Sequence, residues 1–303
     1  MNLQELLKEF LFDCKLRKLS ERTIKGYRNS NLALLRFISE EYSITKIEEV
    51  NHKVLQGYIN YLSETGRKEG YINGLIKSYR AFLAYCVGER YININPVDKV
   101  RSQKQPIPVI NTYSIEEVSR MIKYYKGGRF LDVRNCCIMT LLFDSGIRAS
   151  ELCNLKITDI RQSYINILGK GKKTRHVPLT SAINKQLIRY NRVREQYIKD
   201  KTNYDTEYLF LSQKGKKLTV EALERIVKFC GEAVGVREEI RISPHTCRHF
   251  YAQQQLVNGC DLFILSRLLG HSKIDVTKIY LNSLEMEKSV EIGALTSPLA
   301  CMG

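Results

Sequence analysis

Six side chains in the second half of the sequence have the types and spacing for work on a phosphodiester. Arg148 stands in GIRASEL, Lys170 between the glycines of GKGKK, and His245 and Arg248 in SPHTCRH. His271 follows LLG, and Tyr280 lies in DVTKIYLN. Each alone has an ordinary explanation. An arginine near a helix end caps carbonyls; a lysine in a glycine-flanked turn is usually solvated, although the glycines let a ligand approach the backbone. A histidine three residues before an arginine shares its helix face, and a lone tyrosine at helical spacing is usually packing. Together they describe attack on a phosphodiester without a metal. The two nonbridging oxygens gain negative charge in the pentacoordinate transition state, and guanidinium forks bind such oxygens bidentately while staying protonated. A tyrosine phenol, with an ordinary pKa of about 10, is a poor nucleophile until it loses its proton. A histidine can take that proton, and a lysine on a turn can protonate the departing sugar oxygen. The sequence implies no metal and no cofactor: metal-dependent nucleases use clustered carboxylates, and H-x-H, H-E-x-x-H and D-x-D are absent.

The elements that must hold these residues follow from periodicity. From 1 to 94 the apolar residues recur at helical spacing: Leu3, Leu6, Leu7, Phe10, Leu11 and Cys14, then Ile24 to Ile38 after a Ser20 cap, then Val54 to Leu62, then Ile72 to Leu83. Four such stripes predict a small helical bundle. Lys25, Arg28, Lys77 and Arg80 fall on its polar faces, as solvated charges or as phosphate contacts. Asn95-Pro96 stops the fourth helix, and 95–111, with two further prolines and no period, reads as an interdomain linker. A second unit, 112–303, opens with the capping box Ser114 to Glu117 and a long apolar helix over 133–143 closed by Gly146. The period then changes to two short strands around Gly169-Lys170-Gly171, a hairpin. Helices are expected over 182–199 and 219–234 with a strand-like YLFLS at 208–212 between them, and three helical stretches follow. The fold class is mainly α with a small β-sheet, in two domains.

Composition narrows the class of partner. The chain has 303 residues, with 48 Lys+Arg against 32 Asp+Glu and a net charge of +16. Within 161–220 the count is fourteen Lys/Arg to four Asp/Glu, so one face of the second domain is expected to be strongly basic and to meet a polyphosphate, nucleic acid first. Nine scattered cysteines without a C-x-x-C pair argue against a disulfide framework and for a reduced, cytoplasmic chain. No apolar run is long enough to span a membrane.

GIRASEL, GKGKKTRHVPL, SPHTCRHFYA and LLGHSKIDVTKIY, in this order from about 140 to 282, resemble the sequential motifs of the tyrosine site-specific recombinases of the phage-integrase and Xer type. Any one motif is weak and four in order are specific. The helical N-terminal unit and proline-bearing linker resemble that family's core-binding domain, so the likeness covers nearly the whole chain.

The resemblance implies a two-domain clamp around duplex DNA, with Arg148 and Arg248 on the scissile phosphate and Tyr280 as nucleophile. It implies Lys170 as general acid, His245 assisting proton transfer and His271 bonded to the phosphate. Glu151 would orient an arginine, and Lys172, Lys173 and Arg175 would be at most contacts to the DNA. Cys247, Tyr251 and Gln253 depart from the usual residues at their positions, in ways that touch packing. Expected function is cleavage and rejoining of double-stranded DNA through a 3′-phosphotyrosine by a homotetramer on two duplexes, without ATP, in integration and excision or in dimer resolution. Residues 283–303 are either an arm passed to a neighbouring protomer or a packed tail. A type IB topoisomerase would use nearly the same residues, and a silent DNA-binding protein could share the fold. The complete set of six argues against the latter, since binding alone needs no tyrosine.

Overall fold

The structure, a computed structural model, describes residues 2–105, 110–169, 173–199, 202–281, 290, 293 and 294. The chain divides into two compact units, Met1–Pro106 and Ile107–Gly303.

The first unit is built from α1 (Leu3–Leu16), α2 (Glu21–Tyr42), α3 (His52–Glu64) and α4 (Glu69–Gly88). Side-chain caps start three of them: Asn2 accepts from the Gln4 amide, Ser20 from that of Thr23, and Asn51 from those of Lys53 and Val54. The stripes meet in one core around Leu6, Phe10, Leu34, Ile38, Leu55, Ile72, Ile76 and Phe82, where each such side chain contributes about 1.5–3 kcal/mol when fully buried. The segment read as a linker begins as part of this bundle. Asn95 caps a 3-10 turn, Pro96–Lys99, and Val97 and Val100 enter the core against α3 and α4. Two valines spaced three apart after a capped proline supply an apolar face that the loss of period had hidden.

The second unit is organised round α6 (Phe130–Ser145). Thirteen of its sixteen residues are buried, so it is apolar on every side and lies at the centre. Around it pack α5 (Ile115–Tyr124), α8 (Ser181–Ile198) and α10 (Pro244–Val257); α5 opens with the full Ser114–Glu117 capping box. Between α7 (Ala149–Asn154) and α8 lies the sheet, an antiparallel hairpin of β1 (Tyr164–Leu168) and β2 (Thr174–Pro178) with Ile165 opposite Val177. Then come α9 (Val220–Ala233), α11 (Leu262–Leu269) and α12 (Asp275–Lys278).

Residues 208–212 do not join the sheet and make only isolated bridges, Tyr208 to Lys156 and Leu211 to Lys217. Three of their carbonyls go to side chains instead, while that of Phe210 accepts from the Leu218 amide. The Leu209 carbonyl accepts from Tyr190 Oη and Arg194 Nε, that of Tyr208 from Arg194 Nη2, and that of Leu211 from Arg134 Nη1. Both arginines are buried, and satisfying carbonyls in this way replaces a ladder.

Candidate active site

The C-termini of α6 and α11 meet the start of α7 and the middle of α10. α6 ends at Gly146, in the left-handed region at φ 58°, where any Cβ would run into Tyr251. Two residues on, Arg148 occupies the N-cap position of α7. α11 ends at Gly270, also left-handed at φ 65°, which turns the chain so that His271 follows at once.

Arg248 projects from α10 into this junction and is almost wholly buried. Its Nη1 donates to the Gly146 carbonyl at 2.5 Å and its Nη2 to that of Leu269 at 2.6 Å. Arg148 Nη2 donates to the next carbonyl, Gly270, at 3.3 Å. Backbone acceptors at two helix C-termini therefore hold both cations. Burial, with Arg148 and Arg175 nearby, pushes the Arg248 guanidinium down to about 9, still protonated at neutral pH.

Beneath them lies Glu151. Its carboxylate accepts from the Arg148 amide at 2.9 Å, from Arg148 Nη1 at 2.9 Å, and from Arg175 Nη1 and Nη2 at 2.8 Å each. Burial opposes ionisation, but the hydrogen bonds and charge of Arg175, joined by those of Arg148, outweigh it and hold the carboxyl below its ordinary range. Arg175, expected among the contacts to DNA, is mostly buried and turned inward. Its third donor, Nε, goes to the Leu268 carbonyl at 2.7 Å, so its hydrogen-bonding edge is already occupied.

His271 Nε2 lies 3.0 Å from Arg248 Nη2, and its Nδ1 lies 2.8 Å from Thr277 Oγ1. A guanidinium has only donors, so Nε2 is the acceptor and Nδ1 carries the proton given to Thr277. Burial and the three arginines push the His271 imidazole down to about 4, so it is neutral here. Tyr280, on the turn after α12, is 2% exposed and packs with Tyr251, Leu265 and Leu269. Burial pushes its phenol up, partly offset by Arg248 and Arg148.

The sequence reading missed His249. Its Nδ1 lies 3.0 Å from Tyr280 Oη, and its ring meets that of His245 edge-on at 4.2 Å between centroids. Burial, then His245 and Arg248, push it down to about 4. The available signal was its helical neighbourhood: His249 is four residues after His245 and so lies beside it on α10. His245 is itself pushed down by burial and by Arg248, Arg241 and Arg148.

Lys173 is exposed where β2 leaves the hairpin turn, and the Gly169 amide donates to the Lys173 carbonyl at 2.9 Å just beyond the Leu168–Thr174 pair. Lys170 and Lys172 lie outside the described residues, as do residues 283–303 apart from 290, 293 and 294. In the first unit Lys25 and Arg28 on α2 and Lys77 on α4 are exposed, while Arg80 Nε meets Asp98 at 3.5 Å. Among the described residues no cluster of His, Cys, Asp and Glu could hold a metal ion, and no helix is long and apolar enough to cross a membrane.

Over residues 112–287, more than half its length, the chain matches the phage integrase family and belongs to it. It is a tyrosine site-specific recombinase, an enzyme that cleaves and rejoins DNA. It is 30% identical to the tyrosine recombinase XerC of Thermodesulfovibrio yellowstonii, over 99% of this chain and 98% of that protein. Identity to XerD of Oceanobacillus iheyensis is 28%, over 87% and 88%. The XerA recombinase structure is 26% identical with a TM-score of 0.51, covering 97% of this chain and 99% of that one. The XerH recombinase on its palindromic difH substrate, a post-cleavage complex, shares the fold at a TM-score of 0.75 and 19% identity, over 97% and 84%.

Proposed function

We propose that this recombinase binds duplex DNA in the cytoplasm, cuts it with Tyr280 and exchanges strands between two duplexes as a tetramer. Arg148 and Arg248 bind the nonbridging oxygens of the scissile phosphate, and His271 adds a hydrogen bond once its ring proton moves from Nδ1 to Nε2. Tyr280 Oη attacks phosphorus, the bond from phosphorus to O5′ breaks, and a 3′-phosphotyrosine and a free 5′-hydroxyl result. Lys170 supplies the proton to O5′, and His245 assists proton transfer. The ester keeps the bond energy, so a 5′-hydroxyl from the partner duplex reverses the step without ATP. Residues 1–94 serve as a core-binding domain through Lys25, Arg28, Lys77 and Arg80, residues 112–303 carry the chemistry, and Lys173 tracks the backbone beside the hairpin.

The observation that carries this reading is the convergence of α7, α10 and α11 on one point, where Arg148 and Arg248 share the consecutive carbonyls of Gly270 and Leu269 within electrostatic reach of Tyr280. DNA-bound relatives of the same fold support the partner: lambda integrase has been captured as a dimer on a core site and as a tetramer on a Holliday junction. The test is covalent trapping on a nicked suicide duplex in EDTA, carrying the site found beside the gene or its mobile element. Wild type is expected to give a denaturation-resistant, protease-sensitive adduct that Tyr280→Phe abolishes. An adduct that survives Tyr280→Phe overturns the assignment of the nucleophile. A two-duplex exchange assay then separates recombination from topoisomerase-like relaxation.

A further inference from the structure

His249 has the one described contact with the Tyr280 hydroxyl, 3.0 Å from Nδ1 to Oη, and although it ends the SPHTCRH motif the sequence reading gave it no role. Three observations fix what it can do. The tyrosine is 2% exposed, so bulk water does not compete for its proton. The histidine is neutral well below neutral pH, so one ring nitrogen offers a lone pair. Its ring leans edge-on against His245 at 4.2 Å, which fixes its plane. Among the described residues, His245 makes no hydrogen bond to Tyr280; it meets the tyrosine's partner.

Building on the function proposed above, we infer that His249 Nδ1 accepts the Tyr280 phenol proton during attack. In that step the Oη–H bond breaks as Oη–P forms, the proton moves to Nδ1, and P–O5′ breaks with O5′ taking its proton from the general acid. In the reverse step the incoming 5′-hydroxyl returns its proton to the general acid as it attacks phosphorus, the bond from phosphorus to Oη breaks, and Tyr280 leaves as the phenol, taking its proton from His249. His245 and Arg248 disfavour the imidazolium, and the added negative charge of the phosphorane offsets them during attack. The charged and titratable groups that act on this pair are His245 and Arg248 on α10 and Arg148 before α7.

The experiment is single-turnover cleavage of the suicide duplex by the full chain from about pH 6 to 9, at saturating enzyme, for wild type, His249→Gln and His249→Ala. Positioned base catalysis contributes about 10²–10⁴-fold, so both variants are expected to be slower by that factor at pH 7. Without an internal base the tyrosine must ionise first, so their rates should climb about tenfold per pH unit, whereas the wild-type rate is governed by no such ionisation. Free imidazole should restore His249→Ala in proportion to its concentration. The deficit should persist on a duplex with sulfur at the 5′ leaving position, which needs no protonation. Variants faster than wild type would make His249 a restraint on Tyr280 and overturn the inference. So would a deficit that is equal at every pH and unmoved by imidazole, the mark of a packing role, or one that disappears with the sulfur leaving group. Loss of the adduct in Tyr280→Phe with unaltered His249 variants would leave the proposed function standing and this inference refuted.

Discussion

Arg175 holds Glu151 by two parallel hydrogen bonds of 2.8 Å while its remaining edge donor fastens the Leu268 carbonyl at 2.7 Å. One guanidinium thus ties β2 to both α7 and α11, the segments that present Arg148 and His271. Removing it strands a buried carboxylate with only Arg148 beside it. Breaking such a pair costs about 3–5 kcal/mol, so Arg175→Ala should lower unfolding stability by that order in a denaturant titration. Arg175→Lys, which keeps the charge and loses the fork, should recover only part of it.

The same guanidinium fixes the backbone after α11. A Cβ built on Gly270 would sit 2.8 Å from Arg175 Cδ, at φ 65°. Gly270→Ala should therefore cost at least about 1 kcal/mol from backbone strain alone. Since Arg175 cannot yield without releasing Glu151, cleavage should slow as well. Thermal melts and the adduct assay read the two effects separately.

Arg248→Lys keeps a positive charge but cannot reach Gly146, Leu269 and a phosphate oxygen together. Loss of one well-placed transition-state donor costs about 10²–10³ in rate. The expected result is that drop in single-turnover cleavage, with the salt dependence of DNA binding unchanged.

Binding itself should fall steeply with salt, roughly one power of concentration per phosphate contact. Lys25→Ala and Lys77→Ala should each reduce the slope of log affinity against log salt by about one. Arg80→Ala should do less, because Asp98 already competes for that side chain. Fluorescence anisotropy over about 50–200 mM salt decides it.

Acid sensitivity should arise partly at Glu117. Burial opposes its ionisation, but hydrogen bonds from the Arg237 side chain and amide and from the Ser114 amide hold it at about 2 against an ordinary 4.5. A depressed carboxyl stabilises the fold above its unfolded pKa, and that stability is lost as pH falls through the folded one. With the half-exposed Arg237 discounted for screening, about 1–2 kcal/mol should disappear between roughly pH 4.5 and 2. Glu117→Gln should be less stable at neutral pH and show a shallower loss across that interval.

Caps and periods were legible before any coordinates: Ser20, Ser114 and Gly146 act where their types demand, and the hairpin strands face each other as the shift to period two implies. What local pattern could not show depended on partners distant in sequence. Residues 208–212 carry strand-like residues, yet buried arginines on α6 and α8 claim their carbonyls. Arg175 looked like one more cation in a basic stretch, and only the fold reveals that Glu151 consumes it. His249 looked like filler because its partner, Tyr280, arrives from another segment.

The carbonyl floor under Arg148 and Arg248 also bears on the stability of the fold. Carbonyl dipoles and Glu151 leave the three crowded guanidiniums without enough negative charge to balance them, so the resting pocket is a locally frustrated region that an oxyanion would relieve. Tetrahedral or pentacoordinate mimics of the phosphate, such as sulfate or vanadate, should raise the melting temperature by mass action. The repulsion that makes the unliganded fold less stable here is the same repulsion that DNA relieves on binding, so gains in thermostability obtained by neutralising this pocket should come with weaker catalysis.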